Sequence, residues 1–308
     1  MDIVNKPVNT MKTLTIYITP GLGNMLFQLA SAYGICKKYN YIMKIKIGSM
    51  DRHKTVDYPF LKEFTESTST ENKKQIIENS RNFSFYDDKQ FCNMNCDFTL
   101  YGYFQTEKYF YDIDYFMTNV IKLPDVDIVN KLSKEYKLLE KSFFIHIRRG
   151  DYVNVPARNI NMDNYFKCTI DFILNYDSSL IFYIFSDDIQ YCINSKLFAN
   201  MPKNRLIFVS DLDEYQSLHL MSMCYNGGIC SNSTFSWWGG YMNKNIDKLL
   251  FFPKWWLGKT TRIDIFPEKC IIFDQCSNKF GVQGINSENV LKHIDNFNKL
   301  LHNNKNYK

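Results

Sequence analysis

The chain has 308 residues, a length that suggests about two domains at roughly 150 residues each. Hydrophobic residues make up 45% of it and charged residues 22%, which is ordinary for a globular protein and excludes collagen, a coiled coil and general disorder. Lys and Arg number 37 against 32 Asp and Glu, and the resulting net charge of +5 is too small and too dispersed to predict a partner among nucleic acids.

The cysteines and the N-terminus favour a reduced, cytoplasmic protein. The 9 cysteines are odd in number and scattered, which indicates buried thiols rather than a disulfide framework. Cys92 and Cys96 form a close pair, but no second pair at zinc-finger spacing follows, so zinc is disfavoured. We find no signal-peptide core and no apolar run of about 20 residues, hence no predicted transmembrane segment. Oligomeric state is not predicted.

The first half of the chain opens with a strand, a glycine turn, a helix and a strand. A β-rich run over 14–19 stops at Pro20-Gly21-Leu22-Gly23, a helical spacing of apolar residues follows, and 41–47 is the next strand. Residues 51–97 are polar and are predicted to be an irregular insertion. A further strand is predicted over 98–104.

The second half alternates strands and helices more clearly. Strands are predicted over 142–147, 180–185, 205–209, 228–230 and 249–252, with helices near 163–175, 213–224 and from 234. A last amphipathic helix over about 287–302 could fold back on the first domain. This alternation predicts an α/β fold with a parallel sheet and helices on both faces. The expected domains are 1–140 and 141–308.

Polar and glycine clusters follow several of the predicted strands. They lie at 21–24, 146–152, 186–188 and 231–236. Because ligands of open α/β sheets bind beyond the carboxyl ends of the strands, we expect these clusters to face one crevice.

The cluster at 146–152 contains two adjacent arginines at a strand end. A diphosphate would satisfy Arg148 and Arg149 with bidentate, charge-assisted hydrogen bonds. The alternative is a structural ion pair in which Asp151 closes on one of them. We favour the binding site.

The run from Ser231 to Gly240 begins a helix after a strand. Ser, Asn and Thr cap helix starts, and a helix start also binds phosphate, so capping and anion binding both remain open. Phe235 is expected to lie against a flat base, whereas Trp237 and Trp238 are expected in the core.

Two further clusters have alternative interpretations. Of Asp187 and Asp188, one is expected to cap the next helix and the other to accept hydrogen bonds from a ribose or a base. The turn at 21–24 begins like a dinucleotide fingerprint, but Leu26 stands at the third glycine position, which disfavours NAD. Asn24 either caps the helix or contacts the ligand.

Together these motifs resemble the family-11 glycosyltransferases, the α-1,2-fucosyltransferases. The segments that carry this resemblance occur in the family's order and spread over about 20–275. They are 21–30, 101–110, 146–152, 185–188 and 231–240. Met25 stands where the family usually has Gln, and Gly240 where it often has Ala. Residues 51–97 match poorly, and acceptor choice depends on such a region.

The resemblance implies a GT-B fold, with two Rossmann-like domains facing a central cleft. It implies GDP-fucose as donor, a glycan acceptor, inversion at the anomeric carbon, and no metal or other cofactor. The first domain would be the acceptor side and the second would hold the GDP-sugar. A related enzyme with another nucleotide sugar, or a binding protein without turnover, remains an alternative.

The reaction leaves negative charge on the β-phosphate, which a metal-free enzyme must stabilise with fixed donors. Arg149 is the first catalytic candidate, with Arg148 sharing this role or bracing the loop. Asp151 is the third, expected either to contact the donor or to brace the arginines. Residues expected to bind the donor are Gly23, Asn24, His146, Arg148, Arg149, Ser186, Asp187, Asn232, Ser233, Thr234 and Phe235. Expected acceptor contacts are Tyr103, Gln105 and Glu107. No clear catalytic base is predicted.

Overall fold

The computed structural model describes residues 11–48, 58–67, 74–78, 86–136, 140–258 and 264–303. It divides into two compact units, Met1–Leu123 and Pro124–Lys308. Each unit is built on its own sheet of mainly parallel strands. The predicted α/β class with two Rossmann-like domains is therefore confirmed.

The sheet of the first unit has four parallel strands in the order β2-β1-β4-β3. Their bounds are β1 Thr13–Ile18, β2 Ile42–Ile47, β3 Lys74–Ile77 and β4 Phe98–Tyr101. The prediction of an irregular insertion over 51–97 was wrong at β3, which is an edge strand. Only Ile76 of its four residues is buried, so its sequence carries no alternating pattern.

Helix α1 (Leu22–Tyr39) connects β1 to β2 and buries most of its length. It ends at Asn40, whose left-handed backbone (φ 59°) lets its N–H donate to Cys36 O. Gly34 lies against the chain at Tyr109, since a Cβ at this position would stand 1.9 Å from the Tyr109 carbonyl oxygen. Residues 101–110 are thereby packed on α1. The short helix α2 (Ile113–Tyr115) follows.

The sheet of the second unit has the order β11-β10-β9-β8-β5-β6-β7 and is parallel except for β11. Its strands are β5 Ser142–Ile147, β6 Ile181–Ser186, β7 Leu206–Phe208, β8 Gly227–Ile229, β9 Leu249–Pro253, β10 Cys270–Asp274 and β11 Lys279–Gln283. The first five match predicted strands. The last two were not predicted.

Helices of the second unit cover the sheet. They are α3 Val126–Tyr136, α4 Asp163–Tyr176, α5 Ile189–Asn194, α6 Glu214–Met223, α7 Thr234–Tyr241 and α8 Glu288–Asn303. The apolar face of α8 belongs to this unit's own core, where Phe297 packs against Phe172 and Phe280. The expectation that the last helix could fold back on the first domain stays a prediction.

The boundary between the units also differs from the expected one at residue 140. Helix α3 belongs with the second unit, and the Asp125 N–H before it donates to His219 Nε2 of α6 (2.8 Å). Asp125 also caps α3, because its carboxylate accepts from Asp127 N and Ile128 N. The helix is thus anchored to the second unit from its first turn.

Candidate active site

The second unit has a topological switch point at its central strand. From β5 the chain runs outward through β6 and β7 on one side, then returns to β8 and β9 on the other. A crevice for ligands forms at the carboxyl ends of the strands where the order reverses. The segment 146–152 leaves β5 at this point, and the segment 231–236 leaves β8.

These two segments are joined by short hydrogen bonds. Ser231 Oγ donates to His146 O (2.7 Å) and accepts from Arg148 N (2.9 Å). Tyr152 Oη donates to Asn232 O (3.3 Å). Of the four clusters expected to face one crevice, 146–152 and 231–236 therefore do lie together at one edge of this sheet.

The Arg148 guanidinium is held between two carboxylates. Its Nη2 donates to Asp151 Oδ1, and its Nη1 lies 3.0 Å from Asp187 Oδ2. Burial opposes its charge, but Asp187 and Asp151 more than offset this and raise the pKa of Arg148. The structural ion pair considered from the sequence therefore exists at Arg148, and this side chain is held by two carboxylates.

Arg149 is restrained differently. Its Nε lies 3.2 Å from Asp188 Oδ2, and its Cζ lies 3.6 Å from the centre of the Tyr191 ring. Among the described residues, neither of its two Nη atoms has a hydrogen-bond partner. The two Nη atoms of Arg149 are therefore not committed to another side chain of the described residues.

The residues that follow β6 make hydrogen bonds and ion pairs with these two arginines. Asp188 caps α5, since its Oδ1 accepts from Tyr191 N (3.1 Å), which confirms the predicted cap. Asp187 Oδ1 accepts from Arg149 N (2.8 Å), while its Oδ2 pairs with Arg148. Ser186 Oγ accepts from Asp188 N (3.0 Å). Asp187, expected to contact a ribose or base, is occupied by the arginine loop.

Gly150 shows how closely this loop lies on Asp187. A Cβ at Gly150 would stand 2.1 Å from Asp187 Oδ2, and its φ of +28° also disfavours any other residue. The Arg-Arg-Gly-Asp turn therefore requires glycine at this position, because its backbone lies directly against the Asp187 carboxylate.

A cavity of about 310 Å³ opens beside the arginine pair. Its polar lining includes Arg148, Arg149, Arg158, Tyr152, Tyr191 and Asn232. Arg158 Nη1 lies 3.1 Å from Asp151 Oδ2, so Asp151 bridges two arginines. Arg158 and Tyr191 were not identified from the sequence, because neither lies inside a motif and only the folded chain brings them to this cavity.

His146 is a buried neutral imidazole at the end of β5. Its ring lies 5.5 Å from that of Phe235, and burial together with Arg148 lowers its pKa to about 3. Its Nδ1 is buried and lacks a hydrogen-bond partner among the residues that the structure describes. His146 therefore adds no charge to the site.

The segment that leads into α7 is held by a hydrogen bond to the chain after β9. Ser233 occupies the N-cap position without a side-chain capping bond, so the proposed hydroxyl cap is absent there. Asn232 Nδ2 donates to Trp256 O (3.0 Å). Thr234 and Phe235 form the half-buried first turn. Trp237 and Trp238, as predicted, are fully buried. The residues of this segment that were expected to bind the donor lie at the start of α7: Asn232, Ser233, Thr234 and Phe235.

The first unit brings its two motifs together at its own switch point, between β1 and β4. Gln105 Nε2 donates to Asn24 Oδ1 (2.9 Å), and Gln28 Nε2 donates to Gly102 O (2.7 Å). Gly23 is buried within α1 beside them. Asn24 therefore contacts the second motif.

Glu78, directly after β3, fixes the backbone of the same segment. Its Oε2 accepts from Tyr103 N (2.6 Å) and Phe104 N (2.9 Å), and Phe104 takes a left-handed φ of 49°. Strand β4 ends at Tyr101 for this reason, three residues before the predicted end. Gln28 and Glu78 were not identified from the sequence, because their roles depend on contacts with distant backbone groups.

We expect Asn24→Ala to lower the free energy of unfolding by about 1–3 kcal/mol, because it leaves the buried Gln105 amide without its acceptor. Asn24→Asp keeps an oxygen at this position and should restore much of the loss. Urea unfolding of the three proteins measures this. Equal stability of the alanine variant and the parent would contradict a structural role of the contact.

Glu78 also predicts a pH dependence of stability. Burial raises its pKa to about 8, despite the two backbone N–H groups that lower it. The unfolded chain releases this proton near pH 4.5, so the group's contribution to stability is complete below that pH and is lost as pH rises through 8. Glu78→Gln should remove this loss, and its stability relative to the parent should rise between pH 5 and 8. An unchanged difference in chemical unfolding at the two pH values would contradict the assignment.

The remaining predicted acceptor residues differ in exposure. Tyr103 and Glu107 are half-buried, and Glu107 begins a single 3-10 turn over Glu107–Tyr109. Gln105 is buried and engaged with Asn24. The described part of the chain contains no cluster of three or more His, Cys, Asp or Glu arranged to hold a metal. It also contains no helix with the length and apolar character needed to cross a membrane.

The family model for glycosyl transferase family 11 matches residues 5–255. The chain belongs to this family. It is thus a glycosyltransferase with fucosyltransferase-like features, and the suspected resemblance is confirmed.

Three curated relatives are similar to the chain. The O-antigen biosynthesis glycosyltransferase WbnK of Escherichia coli is 36% identical over 36% of this chain and 38% of its own length. An α-1,2-colitosyltransferase of Escherichia coli is 24% identical over 88% of this chain and 98% of its own length. A galactoside 2-α-L-fucosyltransferase of Caenorhabditis elegans is 30% identical over 46% of this chain and 42% of its own length.

Among solved structures, the fucosyltransferase NodZ from Bradyrhizobium is similar at 10% identity, with a TM-score of 0.45 over 90% of this chain and all of that one. A likeness at this level does not identify a substrate.

Proposed function

We propose that this glycosyltransferase moves fucose from GDP-fucose to a hydroxyl of a galactose-type acceptor, with inversion and without a required metal. The observation that carries the proposal is the arginine pair at the switch point of the second unit. There, Arg149 has both Nη atoms uncommitted among the described residues and lies beside a cavity of about 310 Å³.

The chemistry of the leaving group fits this pair. When the sugar departs, charge develops on the β-phosphate of GDP, and preorganised donors stabilise it more in the transition state than in the ground state. Arg148 is preorganised by Asp151 and Asp187, and Arg149 by Asp188 and Tyr191. Two fixed guanidiniums can thus take the role that a divalent cation has in other transferases.

The first turn of α7 would add backbone N–H groups to the same anion. Thr234 and Phe235 lie in this turn, and Ser231 and Asn232 hold the loop before it against β5 and Trp256. His146, being neutral, would contribute a hydrogen bond to the donor rather than charge.

The acceptor side is assigned to the first unit, where Tyr103 and Glu107 are the candidates that keep exposed surface. Gln105 supports the loop through Asn24 and is proposed to act by holding its neighbours in place. Sugars bind aromatic faces and carboxylates, so Tyr103 and Glu107 suit a galactose-type ligand.

Calorimetric titration tests the donor. GDP and GDP-fucose should bind, UDP and NAD should not, and EDTA should leave the affinities unchanged. Turnover of GDP-fucose with a panel of β-galactosides would then establish the acceptor. Binding of UDP or NAD alone, or loss of binding in EDTA, would overturn the proposed donor chemistry.

A second donor is favoured by one relative. A relative that matches 88% of this chain is named an α-1,2-colitosyltransferase. Colitose is a deoxy form of the fucose ring that lacks the 3-hydroxyl. We therefore include its nucleotide form in the assay, and faster turnover of that donor than of GDP-fucose would replace the first assignment.

A further inference from the structure

Tyr191 lies in the first turn of α5 and is not part of any sequence motif. The residue is 37% exposed and forms part of the cavity wall. The Arg149 Cζ stands 3.6 Å from the ring centre, well inside the range of a cation–π contact. This is the shortest such distance in the described part of the chain, where the other arginine and lysine contacts measure 5.1 to 5.5 Å.

Asp188 sets the two side chains in place together. One carboxylate oxygen accepts from Tyr191 N and so begins α5, and the other lies 3.2 Å from Arg149 Nε. Asp188, which caps α5, therefore also fixes the position of Arg149 over the ring of Tyr191.

Arg149 needs this second restraint because its ion pair is made through Nε alone. A single contact at Nε fixes one point and leaves the plane of the guanidinium free to turn. In contrast, both Nη atoms of Arg148 form ion pairs, one with Asp151 and the other with Asp187. The Tyr191 ring supplies the missing restraint on Arg149, since stacking fixes the guanidinium plane while leaving the Nη atoms open.

We propose that Tyr191 is a positioning residue that orients the Arg149 guanidinium toward the phosphates of a nucleoside diphosphate. This inference rests on the proposed function. It assigns the effect of Tyr191 to Arg149 and not to a direct contact between the tyrosine and the nucleotide.

The test is calorimetric titration with GDP of the parent and of four variants: Tyr191→Phe, Tyr191→Leu, Arg149→Ala and the double variant Arg149→Ala/Tyr191→Leu. We expect Tyr191→Phe to bind within about twofold of the parent, because it keeps the ring. Tyr191→Leu should weaken binding about 3- to 30-fold, the range of a cation–π contact. In the Arg149→Ala background, the leucine substitution should have no further effect.

Tyr225→Leu is the matched control, since Tyr225 is also exposed and lies before β8, at the opposite edge of the sheet. It should bind GDP like the parent, and thermal melting should show all variants folded. Equal GDP binding by Tyr191→Leu and the parent would overturn the inference. So would a further full loss in the double variant, which would mean that the ring itself binds the nucleotide. Failure of the parent to bind GDP would overturn the proposed function as well, so the two failures are distinguishable.

Discussion

Arg149→Ala is expected to lower kcat by about 10²–10³-fold, the usual effect of losing one preorganised donor to a developing charge, while the protein remains folded. The side chain is partly exposed and makes a single ion pair, through Nε, so its removal leaves no buried charge. The measurement is turnover of GDP-fucose under saturating acceptor, together with thermal melting.

Two variants sharpen this result. Arg205→Ala is the matched control, because Arg205 precedes β7 at the amino edge of the sheet, away from the carboxyl ends of the strands. It should keep normal turnover. Arg148→Ala should lose both activity and stability, since it leaves Asp151 and Asp187 without their shared partner. Near-normal turnover of Arg149→Ala would show that the leaving group is stabilised elsewhere.

Asp187→Ala is expected to lower turnover by about 10–10²-fold, because hydrogen bonds that involve a charged group contribute about 1.5–3 kcal/mol. Asp187 holds the arginine loop twice, at Arg149 N and at Arg148 Nη1. Without it, both guanidiniums lose part of their preorganisation. The measurement is again kcat with GDP-fucose.

A nucleotide analogue distinguishes this role from the one expected from the sequence. If Asp187 held the loop, the alanine variant would lose affinity equally for GDP and for 2′,3′-dideoxy-GDP. If Asp187 bound the ribose hydroxyls, the loss would appear with GDP and vanish with the dideoxy form. The second result would contradict the positioning role seen in the structure.

The sequence alone predicted most of the interior strands of the two sheets, although the buried run of β10 (Cys270–Asp274) was not identified. Residues 142–147 were predicted as a strand and form β5 with the same bounds, and all six residues are buried. Such runs are recognisable because a strand covered on both faces is mostly apolar, and in β5 only Ser142 and His146 are not. The polar residues that end them were likewise visible, because the change from apolar to polar marks the sheet edge.

The edge strands β2 and β7 were predicted, but the edge strands β3 and β11 were not. Strands β3 and β11 expose most of their residues, so neither carries an apolar run or a regular alternation. The extent of β4 was also missed, since Glu78 captures the backbone of Tyr103 and Phe104 from another part of the chain.

The motifs likewise indicated a nucleotide-sugar site, because two adjacent arginines at a strand end require either a bound anion or a carboxylate of the protein itself. Which carboxylate pairs with which arginine was decided only by the tertiary structure. The register of β5 on β6 sets Ile147 opposite Ser186, so the next residues along each strand, Arg148 and Asp187, come together. Side-chain pairing across a parallel sheet depends on this register, which joins residues 38 or more positions apart and leaves no local trace in the sequence.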